Sequence, residues 1–260
     1  MAVAAFITIA AAIGTFMWQG GSVAGAGGGA ATQDANAAAA AAGFDTQEKA
    51  AIEAIVRAYI LDNPEIIPEA VENLRSKQAE KRIASVRNEI EQPYAAAFAG
   101  NPNGDVVLVE YSDFACGFCR QSVSDVARLL SEDKNLKIVF HELPILSDES
   151  RVAAAWGLAA AQQDKYYAFY KAMFAAGRPN QSTIEQAAKT AGLDMAAARS
   201  FVATNKTDAV LEGNIRVAQQ LEFSGTPSWV VGNKVLNGAV GYQELKSAID
   251  EARAAKKTAG

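Results

Sequence analysis

The stretch VVLVEYSDF, Val106 to Phe114, is β-rich, ends beside a cysteine pair and runs almost directly into helical sequence, QSVSDVARLLSED. A second β-rich stretch, NLKIVFHEL, follows. Strand, helix, strand in that order predicts a βαβ unit with parallel strands and a right-handed crossover. The turn cluster NPNGD opens this part of the chain. From Asp148 to about Leu221 every segment has helical character: SRVAAAWGLAAAQQ, KYYAFYKAMFAA, STIEQAAKTAG, DMAAARSFVATN and TDAVLEGNIRVAQQL. SGTPSWVVGNKVLNGAV then predicts two strands about a Gly232-Asn233 turn, and YQELKSAIDEARAA a closing helix. The order β, α, β, helical block, β, β, α predicts an α/β domain over residues 93–260, with a helical insertion at about 147–221.

Upstream the chain changes character. The run AVAAFITIAAAIGTFMW, Ala2 to Trp18, is apolar apart from Thr8 and Thr15, and the first charged side chain is Asp34. As a helix it would be about 26 Å long, the short end of a membrane span, with Trp18 at interfacial depth. Residues 1–19 therefore read as an export signal or a membrane anchor. Ala24-Gly25-Ala26 offers a small-residue cleavage pattern, without a positive n-region ahead of it. Either form predicts a periplasmic protein in an oxidising compartment. Residues 20–43 are almost all Ala, Gly and small polar residues, which predicts a flexible tether. The glycine cluster follows no strand, so it is no dinucleotide loop, and no cofactor is expected.

Between Thr46 and Leu61 the residues Ile52, Ile55, Val56, Tyr59 and Ile60 recur at helical spacing, and Asp62-Asn63-Pro64 supplies a stop. A second helix is predicted from near Pro68 through Ile90, with a middle, RSKQAEKR, that is polar apart from Ala79. Residues 44–92 thus read as an amphipathic stalk outside the globular domain. Its apolar stripe needs a cover, either its own domain or copies of itself.

With 24 basic and 29 acidic residues and a net charge of -5, the chain has no basic excess to neutralise phosphates, and nucleic acid is not an expected partner. The single histidine, His141, argues against a His-built metal centre and receives no role. The only two cysteines are Cys116 and Cys119. A bridge across two residues closes too small a loop to stabilise much. As zinc ligands the pair would fill two of four positions, with no second pair to complete a tetrahedron. The third reading is redox chemistry. Cys116 lies at a helix start, where unpaired backbone N–H groups and the helix dipole favour thiolate over thiol. Cys119 lies one turn deeper. An exposed acidic sulfur with a sheltered partner is an arrangement for thiol-disulfide exchange.

EYSDFACGFC resembles the active-site strand and helix start of thioredoxin-fold oxidoreductases, and the helical block between second and third strands is similar to that of the DsbA branch. The resemblance implies that Pro227 of the Thr226-Pro227 pair is cis and lies against the cysteines, with the Thr226 backbone pairing with an extended substrate segment. An ordinary strand-start proline is the other reading. It implies further that Glu110 is a buried acid of raised pKa that takes the proton of Cys119. A solvated strand carboxylate is the alternative. VRAYILDNPEIIPEAVENL, residues 56–74, and FHELPILSDES resemble segments of the trimeric ScsC-like proteins linked to copper tolerance and of the related Com1-like outer-membrane proteins. These matches cover most of residues 45–250. The expected fold is thus a thioredoxin fold with a DsbA-like helical insertion, preceded by a helical oligomerisation stalk.

One departure from the pattern concerns strength as an oxidant. The cysteines enclose Gly-Phe, not the Pro-His of strongly oxidising DsbA proteins. A reduction potential between about -120 and about -270 mV is expected, testable by equilibration with glutathione. The resemblance implies an exported thiol-disulfide oxidoreductase acting as isomerase or reductase. Its expected partners are exported clients with disulfides, a membrane thiol-reducing electron donor, and copies of itself, as a trimer. The rivals are a dithiol oxidase, a protein capturing Cu(I) on Cys116 and Cys119, and, ranked last for want of a comparable cysteine pair, a glutathione-dependent enzyme of the kappa transferase kind.

Overall fold

A computed structural model of the chain describes residues 30–204 and 206–259. The apolar run of residues 2–18 and residues 20–29 of the expected tether lie outside the described residues. Among the described residues no helix is long and apolar enough to cross a membrane. The chain divides into two compact units, one ending at Ile67 and one beginning at Pro68.

In the first unit α1 (Ala30–Ala41) occupies much of the expected tether. Its sequence, AATQDANAAAAA, is dominated by the residue of highest helix propensity, so a helix forms there without a buried face. α2 (Thr46–Asp62) begins at a capping box: Asp45 Oδ1 accepts the N–H groups of Gln47 and Glu48, and the Glu48 carboxylate accepts the Asp45 N–H. It ends where Pro64 forbids continuation, and no residue of α2 is buried.

α3 (Ile66–Glu91) runs into the second unit and corrects the domain boundary expected at 92/93. Its polar middle stays at the surface, but Ile83, Val86 and Ile90, spaced three and four apart, are buried against Val109, Tyr111, Val139, Val217 and Val230. This half of the supposed stalk is core, because its apolar stripe matches an apolar face of the sheet. His141 fixes its end: Nε2 donates to the Ile90 carbonyl at 2.8 Å, satisfying one of the last carbonyls of the helix.

The sheet order is β1-β3-β2-β4-β5. β1 (Phe98–Gly100), too short to be legible from alternation, runs antiparallel to β3 (Leu136–Glu142). β2 (Val106–Ser112) lies centrally, parallel to β3 in register from Val106 with Leu136 to Ser112 with Glu142. Both strands are buried along nearly their whole length, as expected where both faces are covered. α4 (Gly117–Glu132) makes the crossover between them. The insertion comprises α5 (Asp148–Ala161), α6 (Tyr166–Ala176), α7 (Gln181–Thr190), α8 (Met195–Val202) and α9 (Lys206–Gln220). β4 (Ser228–Val231) pairs antiparallel with β2, and β5 (Lys234–Asn237) returns through the Gly232-Asn233 turn, where Gly232 takes a φ of +56°. α10 (Tyr242–Ala259) closes the fold. Residues of α3 and α9 pack on one face of the sheet, and those of α4, α5, α6 and α10 on the other.

Since Ile90 is fully enclosed, Ile90→Ala should lower the unfolding free energy of the domain by about 2–5 kcal/mol in urea titration. A loss below about 0.5 kcal/mol, the size of a surface change, would return α3 to the status of a separate stalk.

Candidate active site

The strand-to-helix turn after β2 is tied down by Asp113. Its carbonyl accepts the Cys116 N–H at 2.9 Å, and its Oδ1 accepts the Ala115 N–H at 2.8 Å. Oδ2 accepts the N–H groups of Ile145 and Leu146 at 2.9 and 3.0 Å, so one carboxylate joins the turn to the loop that follows β3. Cys116 is then the N-cap of α4, in extended conformation at φ -77° and ψ 123°, and its Sγ accepts the Cys119 N–H at 3.4 Å. From the other side, the Cys116 Sγ–H donates to the Thr226 carbonyl at 3.2 Å.

The bond accepted from the Cys119 N–H favours the thiolate, whereas the one donated to the Thr226 carbonyl belongs to the thiol form. The Cys119 thiol has the largest effect, the backbone N–H groups of Cys119 and Phe118 add to it, and burial opposes them; together they hold Cys116 at about 5. That lies between the values of about 3.5 and about 7 known for a strongly oxidising and a reducing member of this chemistry. The exposed sulfur expected from the sequence is not what the structure shows. Only 6% of Cys116 is accessible, because the Thr226-Pro227 loop lies over it, while neighbouring Phe118 is 61% exposed. The Thr226-Pro227 peptide is cis, and Pro227 is buried.

Cys119, one turn on, is fully enclosed, and burial first, then the Cys116 thiol, pushes its own thiol upward. Both cysteines are free thiols. Glu110 lies on β2 on the face that carries the cysteines and is fully buried. Burial pushes its carboxyl up to about 8, opposed by the Tyr170 hydroxyl, which donates to Oε1 and Oε2 at 3.2 Å each. Glu110 and Cys119 lie close enough for the carboxylate charge to raise the thiol further. His141, on the opposite face, stacks on Tyr111 with ring centroids 4.7 Å apart and takes no part in the site.

Four further residues belong to this site. Asp113 and Tyr170 are described above. Glu142, opposite Ser112 across the strand pair, is a second buried carboxyl, driven upward by burial and bonded by the Tyr166 hydroxyl at 2.8 Å. The space it fills explains Gly157 of α5, where a Cβ would meet Glu142 Oε1 at 2.5 Å. The available signal was an acid inside LKIVFHE, a run otherwise fit for burial. Among the described residues no group of three His, Cys, Asp or Glu side chains is arranged to hold a metal.

A pH dependence follows with a definite sign. Cys116 at about 5 in the fold, against an ordinary value of 9.0, stabilises the reduced protein fully above about pH 9, and this contribution is lost as pH falls through 5. The urea midpoint of reduced wild-type protein should therefore rise relative to Cys116→Ser between pH 5 and 9. Parallel curves for the two proteins would contradict the thiolate assignment.

Residues 91–251 match the family model for thioredoxin, and residues 48–81 match that for the N-terminal domain of the copper resistance protein ScsC. A solved thioredoxin-like oxidoreductase from Silicibacter pomeroyi is 36% identical, the alignment covering 63% of this chain and 95% of that one with a TM-score of 0.60. The thiol-disulfide exchange protein alpha-DsbA2 from Wolbachia pipientis is 25% identical, over 68% of this chain and 97% of that one, with a TM-score of 0.64. A curated relative, Na(+)/H(+) antiporter NhaA 1 of Salinispora arenicola, is 26% identical over 156 residues, 59% of this chain and 24% of that protein. The chain spans about a quarter of the length of the curated relatives it matches. The thioredoxin match runs through the βαβ unit, the insertion and the closing hairpin, and the ScsC N-terminal match precedes it; the chain belongs to the thioredoxin family.

Proposed function

We propose that the chain is an exported protein thiol-disulfide oxidoreductase that works as an isomerase or reductase on clients with disulfides. The observation that carries this reading is the pairing of an acidic sulfur at the start of α4 with an enclosed, reluctant one a turn away. The Cys116 thiolate attacks a client disulfide: a bond forms from Cys116 to one client sulfur, and the second client sulfur leaves as thiolate and takes a proton. If a client thiolate then attacks the client sulfur of the mixed disulfide, a new client disulfide forms, the bond to Cys116 breaks and Cys116 leaves as thiolate. If Cys119 attacks first, the client is reduced and the pair is oxidised. A membrane-bound thiol donor would then have to return the pair to the dithiol state.

Support for several copies acting together comes from the exposed apolar residues of α2, with Ile55 at 68%, Tyr59 at 59% and Leu61 at 65%, which form no core of their own. The match of residues 48–81 to the ScsC N-terminal domain covers the same segment. A trimer would present several active sites to one client, raising the effective concentration of thiolate around it. Export rests on the apolar run of residues 2–18. Capture of Cu(I) would require the Cys119 sulfur to lose its proton inside a closed pocket, which burial opposes.

Two experiments test this proposal. Thiol trapping in cells should find Cys116 and Cys119 mostly reduced, and the protein should rescue scrambled ribonuclease; a mostly oxidised pair with poor rescue would make it a dithiol oxidase. In light scattering, Ile55→Asp with Tyr59→Asp should convert an oligomer to monomers, and an unchanged mass would remove the stalk from assembly.

A further inference from the structure

Glu110 is sealed away from solvent, and the groups around it fix what it can do. Phe140 of β3 and Trp229 of β4 flank it in register, and both are buried. Glu142 follows on β3. Tyr170 of α6 contacts it, and Cys119 of α4 and Tyr166 and Tyr167 of α6 lie near enough to feel its charge. Among the described residues only Tyr170 places a hydrogen-bond donor on the Glu110 carboxyl, and it reaches both oxygens at the same 3.2 Å. The phenol is held in that position by its own packing. The Tyr170 ring lies 4.9 Å from Phe140, 5.0 Å from Phe174 in edge contact and 5.9 Å from Tyr167. Tyr166, one turn earlier on α6, makes the corresponding bond to Glu142, so the two donors do not compete for one acid.

We propose that Tyr170 is a positioning residue: it holds the Glu110 carboxylate in place to take the proton of Cys119, and through it the helical insertion takes part in resolving the mixed disulfide. A phenol donating to a carboxyl favours the ionised form, and in a dry pocket one such bond is the main counterweight to desolvation. In the step itself the Cys119 S–H proton passes to the Glu110 carboxylate as the Cys119 sulfur attacks the Cys116 sulfur. The Cys116–Cys119 bond forms, the bond from Cys116 to the client sulfur breaks, and the client sulfur departs as thiolate with that electron pair. The client is reduced and the cysteine pair oxidised. Glu110 becomes carboxylate again when it loses the proton it received. This inference rests on the thiol-exchange reading above.

The test uses the reduced full chain and the aromatic disulfide DTNB, whose leaving thiolate is coloured. The first equivalent of colour reports attack by Cys116, and the second reports Cys119 resolving the mixed disulfide. Tyr170→Phe should leave the first phase unchanged and move the pH midpoint of the second upward by about one unit. Tyr166→Phe should move it much less. In Glu110→Gln the pH step in the second phase should vanish, and adding Tyr170→Phe should then change nothing further. An unshifted second-phase midpoint in folded Tyr170→Phe overturns the proposal, whereas a missing fast first phase in wild type overturns the thiol-exchange reading itself. Should Tyr170→Phe fail to fold, replacement of all tyrosines by the more acidic 3-fluorotyrosine decides the matter: the wild-type midpoint should fall while Glu110→Gln is unaffected, and no movement in wild type counts against Tyr170.

Discussion

A sulfur atom at the first turn of α4, accepting the Cys119 N–H and covered by the Thr226-Pro227 loop, whose carbonyl accepts its proton in the thiol form, is the contact on which the rest of this structure turns. Neither half of that contact is local. The N–H groups are available because β2 ends and α4 begins within a few residues, a geometry maintained by Asp113. The carbonyl is available because β4 lies beside β2 and brings the Thr226-Pro227 loop over the helix start from 110 residues away in sequence. The sheet order, with β2 between β3 and β4, is therefore what assembles the reagent.

Beneath that contact the protein tolerates what it would ordinarily avoid. Glu110 and Glu142 are both buried carboxyls on the same side of the sheet, and each has a tyrosine hydroxyl from α6 as its hydrogen-bond donor. Burial drives both toward the protonated form, so at neutral pH only a minor fraction of Glu110, growing as pH rises toward 8, is the carboxylate that can take the Cys119 proton. The enclosed Cys119 thiol is in the same situation. An acidic sulfur at the rim and proton-holding groups below it separate the two halves of the exchange reaction: Cys116 is charged in advance, while Cys119 must be relieved of its proton only when it attacks.

What could be read from the chain depended on whether the signal was local. The βαβ order, the cysteine pair at a helix start, the Gly232-Asn233 hairpin and the helical insertion all follow from spacing and turn residues in contiguous segments. The docking of α3 does not, because Ile83, Val86 and Ile90 look like the continuation of a stalk until the sheet face that receives them exists. α1 was hidden by its composition: small residues suggest a tether, but alanine favours helix without needing a partner. The shielding of Cys116 was likewise illegible, since the loop that covers it is remote in sequence. Glu142 and Tyr170 carry no local signal, because an acid near a strand end and a tyrosine in a helix are commonplace until the fold sets them against Gly157 and Glu110.

The central claim is that Cys116 is a thiolate under working conditions, and ultraviolet absorbance near 240 nm reports thiolate directly. In the reduced wild-type protein this absorbance, lost on oxidation of the pair, should titrate as one group with a midpoint near 5 and show no second thiolate below neutral pH. A single midpoint near 9, the ordinary value of an unperturbed thiol, would contradict the account at its foundation.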